Sequence, residues 1–178
     1  MRKLLNEELN RLSVDEVKKS TKNPLVIVLD NVRSMNNVGS AFRTADAFLC
    51  EKILLCGITA QPPHREIHRA ALGATETVNW EYEENTLSAL ARLKSEGFTI
   101  VSIEQADESI SLEKYSPKSS EKVAFVFGNE IYGVGDEVVQ QSDAVVEIPQ
   151  FGAKHSLNIS VSIGIVLWDI ISKIKLQH

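Results

Sequence analysis

Three short segments hold the side chains able to do chemistry, and each follows directly on an apolar run. The first, Asp30 to Arg43, leads into a helical pattern. Asn37 reads as the helix N-cap. Gly39 leaves room for another backbone or a ligand to come close. Arg43 falls off the apolar stripe of Val38, Phe42, Ala45 and Leu49, so it can point toward the loop side. These are groups for gripping a polar or anionic ligand; a capped helix with a solvated arginine is the plain alternative. The second segment, Phe127 to Gly135, carries Gly128, Gly133 and Gly135 around Glu130. Such a loop can turn its backbone amides toward a ligand, with Glu130 as partner for a donor group, or it can be a simple turn. The third, Ile148 to Ser160, brings the positive charge of Lys154 and His155 beside Ser156 and Asn158, either of which can cap the following helix. Read blandly, it is a long capped connection.

The elements that must position these loops alternate. Val26–Leu29 is a short continuous apolar run, as in a strand buried on both faces. Asn37–Leu49 has helical spacing. Lys52–Cys56 then reads as a strand, Arg65–Leu72 as a helix, Thr77–Trp80 as a weak strand and Thr86–Ser95 as a helix closed by Gly97. Phe98–Ile103, Val123–Phe127 and Ala144–Ile148 are further strands. A short helix lies at Asp136–Gln141 and a long one at Asn158–Lys173. Strands alternating with helices predict a parallel sheet in an α/β layer fold, with ligands at loops beyond the carboxyl ends of the strands. Residues 1–22 predict a short helical arm. Leu5, Leu9 and Leu12 share a face there, and Ser13 with Glu16 forms a capping box. Pro24 stops it.

Composition bounds the function. The chain has 178 residues, 43% of them hydrophobic, enough for one compact domain with its own core. Its net charge of −5 counts against a purely electrostatic RNA binder, and less against an enzyme with a local basic mouth. Cys50 and Cys56 form no metal-ligand spacing and read as buried free thiols, so no metal is expected. No signal peptide is visible, and Asn158, Ser160, Ser162 and Asp169 interrupt the apolar C-terminal region, so the expected location is cytoplasmic, without a membrane span. The last helix is apolar on two sides: Ile159, Ile163, Val166, Ile170 and Ile174 on one, Val161, Ile165, Trp168 and Ile171 on the other. One side can face the sheet and the other a second subunit, which predicts a homodimer.

Together the three loops are far more specific than any one alone. Asn37-x-Gly39-x-x-x-Arg43, Gly128-x-Glu130-x-x-Gly133, and Ile148-Pro149 through Gly152 to Ser156-Leu157-Asn158-x-Ser160 resemble the three motifs of the SpoU-type, or TrmH-like, branch of the SPOUT methyltransferases. The resemblance covers Leu25 to the C-terminus, and the small-residue segment Ala70–Ala74 matches as well. It implies a methyltransferase domain over residues 23–178 with a deep trefoil knot around 122–168. It also implies an obligate homodimer with the active site near the subunit interface, and S-adenosylmethionine held in the knot loops. By the same resemblance, Phe127, Gly128, Glu130, Ile148, Pro149 and Leu157 hold the cofactor, while Arg43, Asn37, Ser156 and Asn158 are the catalytic set. Two departures, Gln150 where many members carry Met and His155 where an acidic or polar residue is frequent, bear on substrate identity.

The reaction implied is methylation of a ribose 2′-hydroxyl in RNA, with tRNA preferred over rRNA. Such a hydroxyl is a poor nucleophile until it loses its proton, so the site must orient it and stabilise the growing oxyanion. A guanidinium keeps its proton throughout the accessible pH range, so Arg43 is read as phosphate and oxyanion support before a base. Arg33, Arg65, Arg69, Lys154 and His155 are candidate RNA contacts, with His68 and the arm lysines Lys18, Lys19 and Lys22 beside them. The alternatives are a non-catalytic cofactor-binding RNA adaptor, opposed by the intact Arg43, Asn37 and Asn158, and a dinucleotide enzyme or serine hydrolase, for which GxGxxG and GxSxG are missing.

Overall fold

The apolar runs assemble as a seven-stranded sheet in a computed structural model that describes residues 1–176. In chain order the strands are β1 (Asn23–Asp30), β2 (Cys50–Cys56), β3 (Asn79–Glu83), β4 (Thr99–Ile103), β5 (Ile110–Ser111), β6 (Val123–Phe127) and β7 (Ala144–Glu147). In space they run β3-β2-β1-β6-β4-β7-β5, and every pairing is parallel. β1 alternates between two cores, as its unbroken apolar run predicts: Leu25, Ile27 and Leu29 face one side, Val26 and Val28 the other.

Helices α2 (Met35–Ala47), α3 (Arg65–Ala71) and α6 (Ile159–Ile171) cover the first face, through Phe42, Ile67 and Val166 among others. Helices α4 (Thr86–Ser95) and α5 (Asp136–Gln141) cover the second, through Leu90, Leu93 and Val138. Gly39 lets α2 and α3 touch: a Cβ there would stand 2.5 Å from the Ile67 carbonyl and 2.6 Å from the Ala70 methyl. The space foreseen at Gly39 is therefore filled by α3, not by a ligand. Cys50 and Cys56 are free and buried.

Two expectations shift. The strand foreseen at Thr77–Trp80 begins at Asn79, because the Thr77 hydroxyl turns back to Asp46 Oδ1 at 2.5 Å and ends a 3-10 turn. The arm holds a 3-10 turn, Asn6–Leu9, then α1 (Val14–Lys19), which Ser13 and Glu16 cap as expected, while Leu5, Leu9 and Leu12 stay exposed.

The chain crosses itself at its C-terminal end. β6 enters between β1 and β4, β7 then passes to the other side of β4, and α6 returns to pack beside α2. A π-helical turn, Ser172–Leu176, follows. In it the Lys173 ammonium donates to the carbonyls of Leu112 (2.7 Å) and Tyr115 (2.9 Å) and pairs with Asp169 at 2.6 Å.

Candidate active site

A cavity of about 560 Å³ opens where β4, β6 and β7 end. Loops leave parallel strands at their carboxyl ends, so ligand sites gather there. The floor comes from Ile103, Glu104 and Gln105 at the end of β4, one wall from Phe127–Gly133 at the end of β6, and the facing wall from Ile148, Gln150 and His155–Ile159. Of the residues singled out in the sequence, Phe127, Gly128, Glu130, Ile148, His155, Ser156, Leu157 and Asn158 thus come together. Pro149, Lys154, Asn37, Arg43, Arg33, Arg65 and Arg69 lie outside this lining.

The first loop is tied to the second by Glu130. Its carboxylate accepts the N–H of Arg33 at 3.0 Å, the N–H of Ser34 at 2.9 Å and the Asn37 amide at 3.0 Å. Partial desolvation works against the charge, but these donors outweigh it and hold the carboxyl below its usual range. Asn37 is therefore not the N-cap it was expected to be. Ser34 caps α2, accepting the Asn37 N–H at 3.3 Å, and the buried Asn37 side chain is left free to reach Glu130. Arg43 stands exposed on α2.

The second loop is stiff. Asn129 and Gly133 exchange backbone hydrogen bonds at 2.8 and 2.9 Å, with Gly133 at φ +69°. Gly128 packs so closely on the Gly133–Val134 peptide that a side chain there has no room. Three carboxylate or amide groups that sequence reasoning missed pin this loop. Glu104 accepts the Val134 N–H at 2.9 Å, buried Asp30 accepts the Gly135 N–H at 3.1 Å, and the Asn129 amide donates to the Asn31 carbonyl at 2.8 Å. Glu104 directly follows β4 and faces the cavity. Its only sequence signal was a charged residue at the carboxyl end of a strand.

The third loop ends as expected. Asn158 caps α6, accepting the Ser160 N–H at 2.8 Å. Gln105 reaches across to the His155 carbonyl at 2.8 Å and joins the floor to this wall. Ser156 stays exposed at the cavity mouth. Among the described residues, no three His, Cys, Asp or Glu side chains are placed to hold a metal ion, and no helix is long and apolar enough to cross a membrane.

This lining fits S-adenosylmethionine. Ile103, Phe127, Ile148 and Leu157 offer apolar surface for an adenine, while Glu104, Gln105 and Ser156 offer acceptors and charge for a cationic, polar tail; Glu130, expected to hold the cofactor, is instead engaged by the first loop. The tight Gly128 turn makes the wall out of backbone rather than side chain.

Comparison with known proteins agrees. The model of the SpoU rRNA Methylase family matches residues 24–168. A tRNA (guanosine(18)-2′-O)-methyltransferase of Borreliella burgdorferi is 28% identical over 97% of this chain and 77% of its own length. A 23S rRNA (guanosine-2′-O-)-methyltransferase of Neisseria meningitidis is 31% identical over 86% of this chain and 60% of its own. The AdoMet-bound rRNA methyltransferase of Sinorhizobium meliloti superposes with a TM-score of 0.78 at 28% identity, over 86% of this chain and 58% of that one. The chain thus spans only about three fifths of the last two. The parallel sheet, the crossing of its C-terminal strands and the three loops have one common explanation: this chain belongs to the SpoU rRNA methylase family and has that family's trefoil-knotted α/β fold.

Proposed function

We propose that this chain is an S-adenosylmethionine-dependent RNA methyltransferase acting on a ribose 2′-hydroxyl, with tRNA preferred over rRNA. The observation that carries the reading is the convergence of the second and third loops on one cavity, with the first locked to them through Glu130. The tRNA preference leans on the Borreliella relative, which aligns with nearly the whole chain.

When bound, the cofactor supplies a methyl group on a sulfonium. The chain supplies position. Phe127, Gly128, Ile148 and Leu157 form the cradle, Pro149 shapes the turn behind Ile148, and Glu130 holds the first loop against it. Ser156 and Asn158, exposed at the mouth, hydrogen-bond the target nucleotide. Arg43 grips its phosphate and stabilises the charge growing on the hydroxyl oxygen as its proton passes to solvent water, with Asn37 fixing the start of its helix. Arg33, Arg65, Arg69, Lys154 and His155, all exposed, contact the RNA.

Arg43 does not reach its own chain's cavity lining, and a second copy resolves this. Of the outer side foreseen for α6, Val161, Ile165 and Trp168 are 48%, 37% and 57% exposed, whereas Ile171 turns into the chain's own core, and Leu157, 38% exposed, extends the stripe to the cavity mouth. Trp168 also touches Phe48, at the end of α2, with ring centroids 6.4 Å apart. In a two-fold dimer on this stripe the same patch meets itself, so the Arg43 helix of each copy borders the cavity of the other. The two buried free thiols suit a reducing compartment, and the enzyme works in the cytoplasm.

The test is transfer of tritiated methyl from S-adenosylmethionine to bulk tRNA and rRNA, followed by alkaline hydrolysis. A 2′-O-methyl blocks strand cleavage at its own nucleotide, so label must survive in alkali-resistant dinucleotides. Label in mononucleotides points to a base and overturns the ribose assignment. Binding of cofactor and RNA without transfer points to the adaptor.

A further inference from the structure

A second cavity, also about 560 Å³, lies between α3 and the edge strand β3 and shares no lining residue with the first. It is lined by Pro62, Pro63, His64, Arg65 and His68 on one side and by Thr75, Glu76 and Trp80 on the other, with Ile67 at its base. Its size falls within the roughly 300–1,000 Å³ of cavities that hold small organic ligands. Its chemistry is unusual for this chain. The protein is acidic overall, with four histidines in all, yet two histidines and an arginine meet here beside one of only two tryptophans. Trp80 is half-buried and belongs to the edge strand β3, with its side chain on the α2–α3 face of the sheet. Arg65 and His68 are exposed and Glu76 is the single acidic group in the lining.

We propose that this cavity takes an unpaired nucleotide of the RNA, apart from the one that is methylated. The proposal rests on the RNA methyltransferase reading above. An aromatic and proline-walled recess accepts the flat face of a base, which a continuous duplex keeps stacked away. Arg65 and His68 at the rim supply donors for the attached phosphate. A flat basic patch would bind backbone alone; a concave one with Trp80 in its wall binds a base as well. The site is mechanically joined to the Arg43 helix. Asp46, one turn beyond Arg43 on α2, accepts the Thr77 hydroxyl at 2.5 Å, and Thr77 adjoins Glu76 on the cavity wall. A nucleotide seated here therefore fixes the RNA relative to α2.

The test measures binding of a fluorescein-labelled single-stranded RNA decamer and of bulk tRNA to the full chain by anisotropy at fixed salt. Thr75→Phe fills the cavity without changing charge, Arg65→Glu with His68→Ala removes the rim donors, and Lys118→Glu, on an exposed loop elsewhere, is the charge control. Both cavity variants lose affinity about tenfold, the scale of one base stacked on an aromatic ring, while the control binds like wild type and all three keep the wild-type melting temperature. If Thr75→Phe melts early, Thr75→Leu replaces it. Normal binding by the folded cavity-filling variant, with weakening in the charge variant alone, reduces the site to surface electrostatics and overturns the proposal. Wild-type chain that binds neither RNA overturns it together with the methyltransferase reading. Wild-type binding and methyl transfer untouched by the cavity variants overturns the cavity alone.

Discussion

Glu130 Oε1 accepts the Asn37 amide at 3.0 Å across 93 positions of sequence. One carboxylate thereby joins the start of the Arg43 helix to the cavity wall. Glu130→Gln keeps the shape and loses the charge that three donors converge on. Charge-assisted hydrogen bonds of this kind support a drop of about tenfold in methyl transfer, with cofactor binding less affected. The linkage sign follows from the lowered carboxyl. Its stabilising effect is complete above the ordinary value of 4.5 and is lost as pH falls through the lower folded value. Thermal melts of wild type and Glu130→Gln should therefore differ at neutral pH and converge in acid.

Gly128→Ala tests the backbone cradle. A methyl at this position meets the Gly133–Val134 peptide, so the second loop must open. Calorimetric titration should show cofactor affinity falling by at least about tenfold, with far-ultraviolet dichroism unchanged. Wild-type affinity removes this turn from the cofactor site.

Arg43→Ala should abolish most transfer while folding and cofactor binding persist, because Arg43 is exposed on α2 and outside the cavity lining. Arg43→Lys recovers little, since an ammonium lacks the planar fork. Mixing inactive Arg43→Ala with inactive Gly128→Ala and allowing exchange should restore part of the activity. Only a site assembled from two copies can do this, and no recovery places Arg43 and its cavity in one chain.

Gly39→Ala probes the α2–α3 contact. Overpacking against the Ile67 carbonyl and the Ala70 methyl should cost about 1–3 kcal/mol, read as a lower urea midpoint at constant slope. An unchanged midpoint shows that the two helices separate freely.

Burial pushes both Cys50 and Cys56 up to about 12. The folded chain should resist thiol reagents at neutral pH and react fully only in denaturant. A raised thiol favours the folded state below its ordinary value of 9.0, and this contribution is lost as pH rises from 9.0 toward 12. Melting temperature should decline across that window, and less steeply in the Cys50→Ala, Cys56→Ala double variant.

What the sequence made legible was local. The buried β1, the Ser13 capping box, Asn158 as the α6 cap and the loops after β6 and β7 each follow from residues a few positions apart. What it hid was non-local. Asn37 looks like a cap until Glu130, far along the chain, competes for its side chain. Glu104 is one charged residue among many until the fold brings Val134 to it. Thr77 has strand character until Asp46 draws it into a turn. β5 is only two residues long and pairs solely with β7, so no periodicity announces it. The knot itself was carried by resemblance, since strand order cannot be read from strand signals.

Lys173 gives the turn after α6 a mechanical role. Its ammonium fastens the turn after α6 to the carbonyls of Leu112 and Tyr115, in the stretch between β4 and β6. For α6 to peel away and the crossing to come undone, both bonds must break and a cation seated against main-chain oxygen must be exposed. The fastening acts as a stopper on the rope: it raises the barrier to escape and makes the lifetime of the fold, as much as its equilibrium stability, a property of one side chain beyond the site.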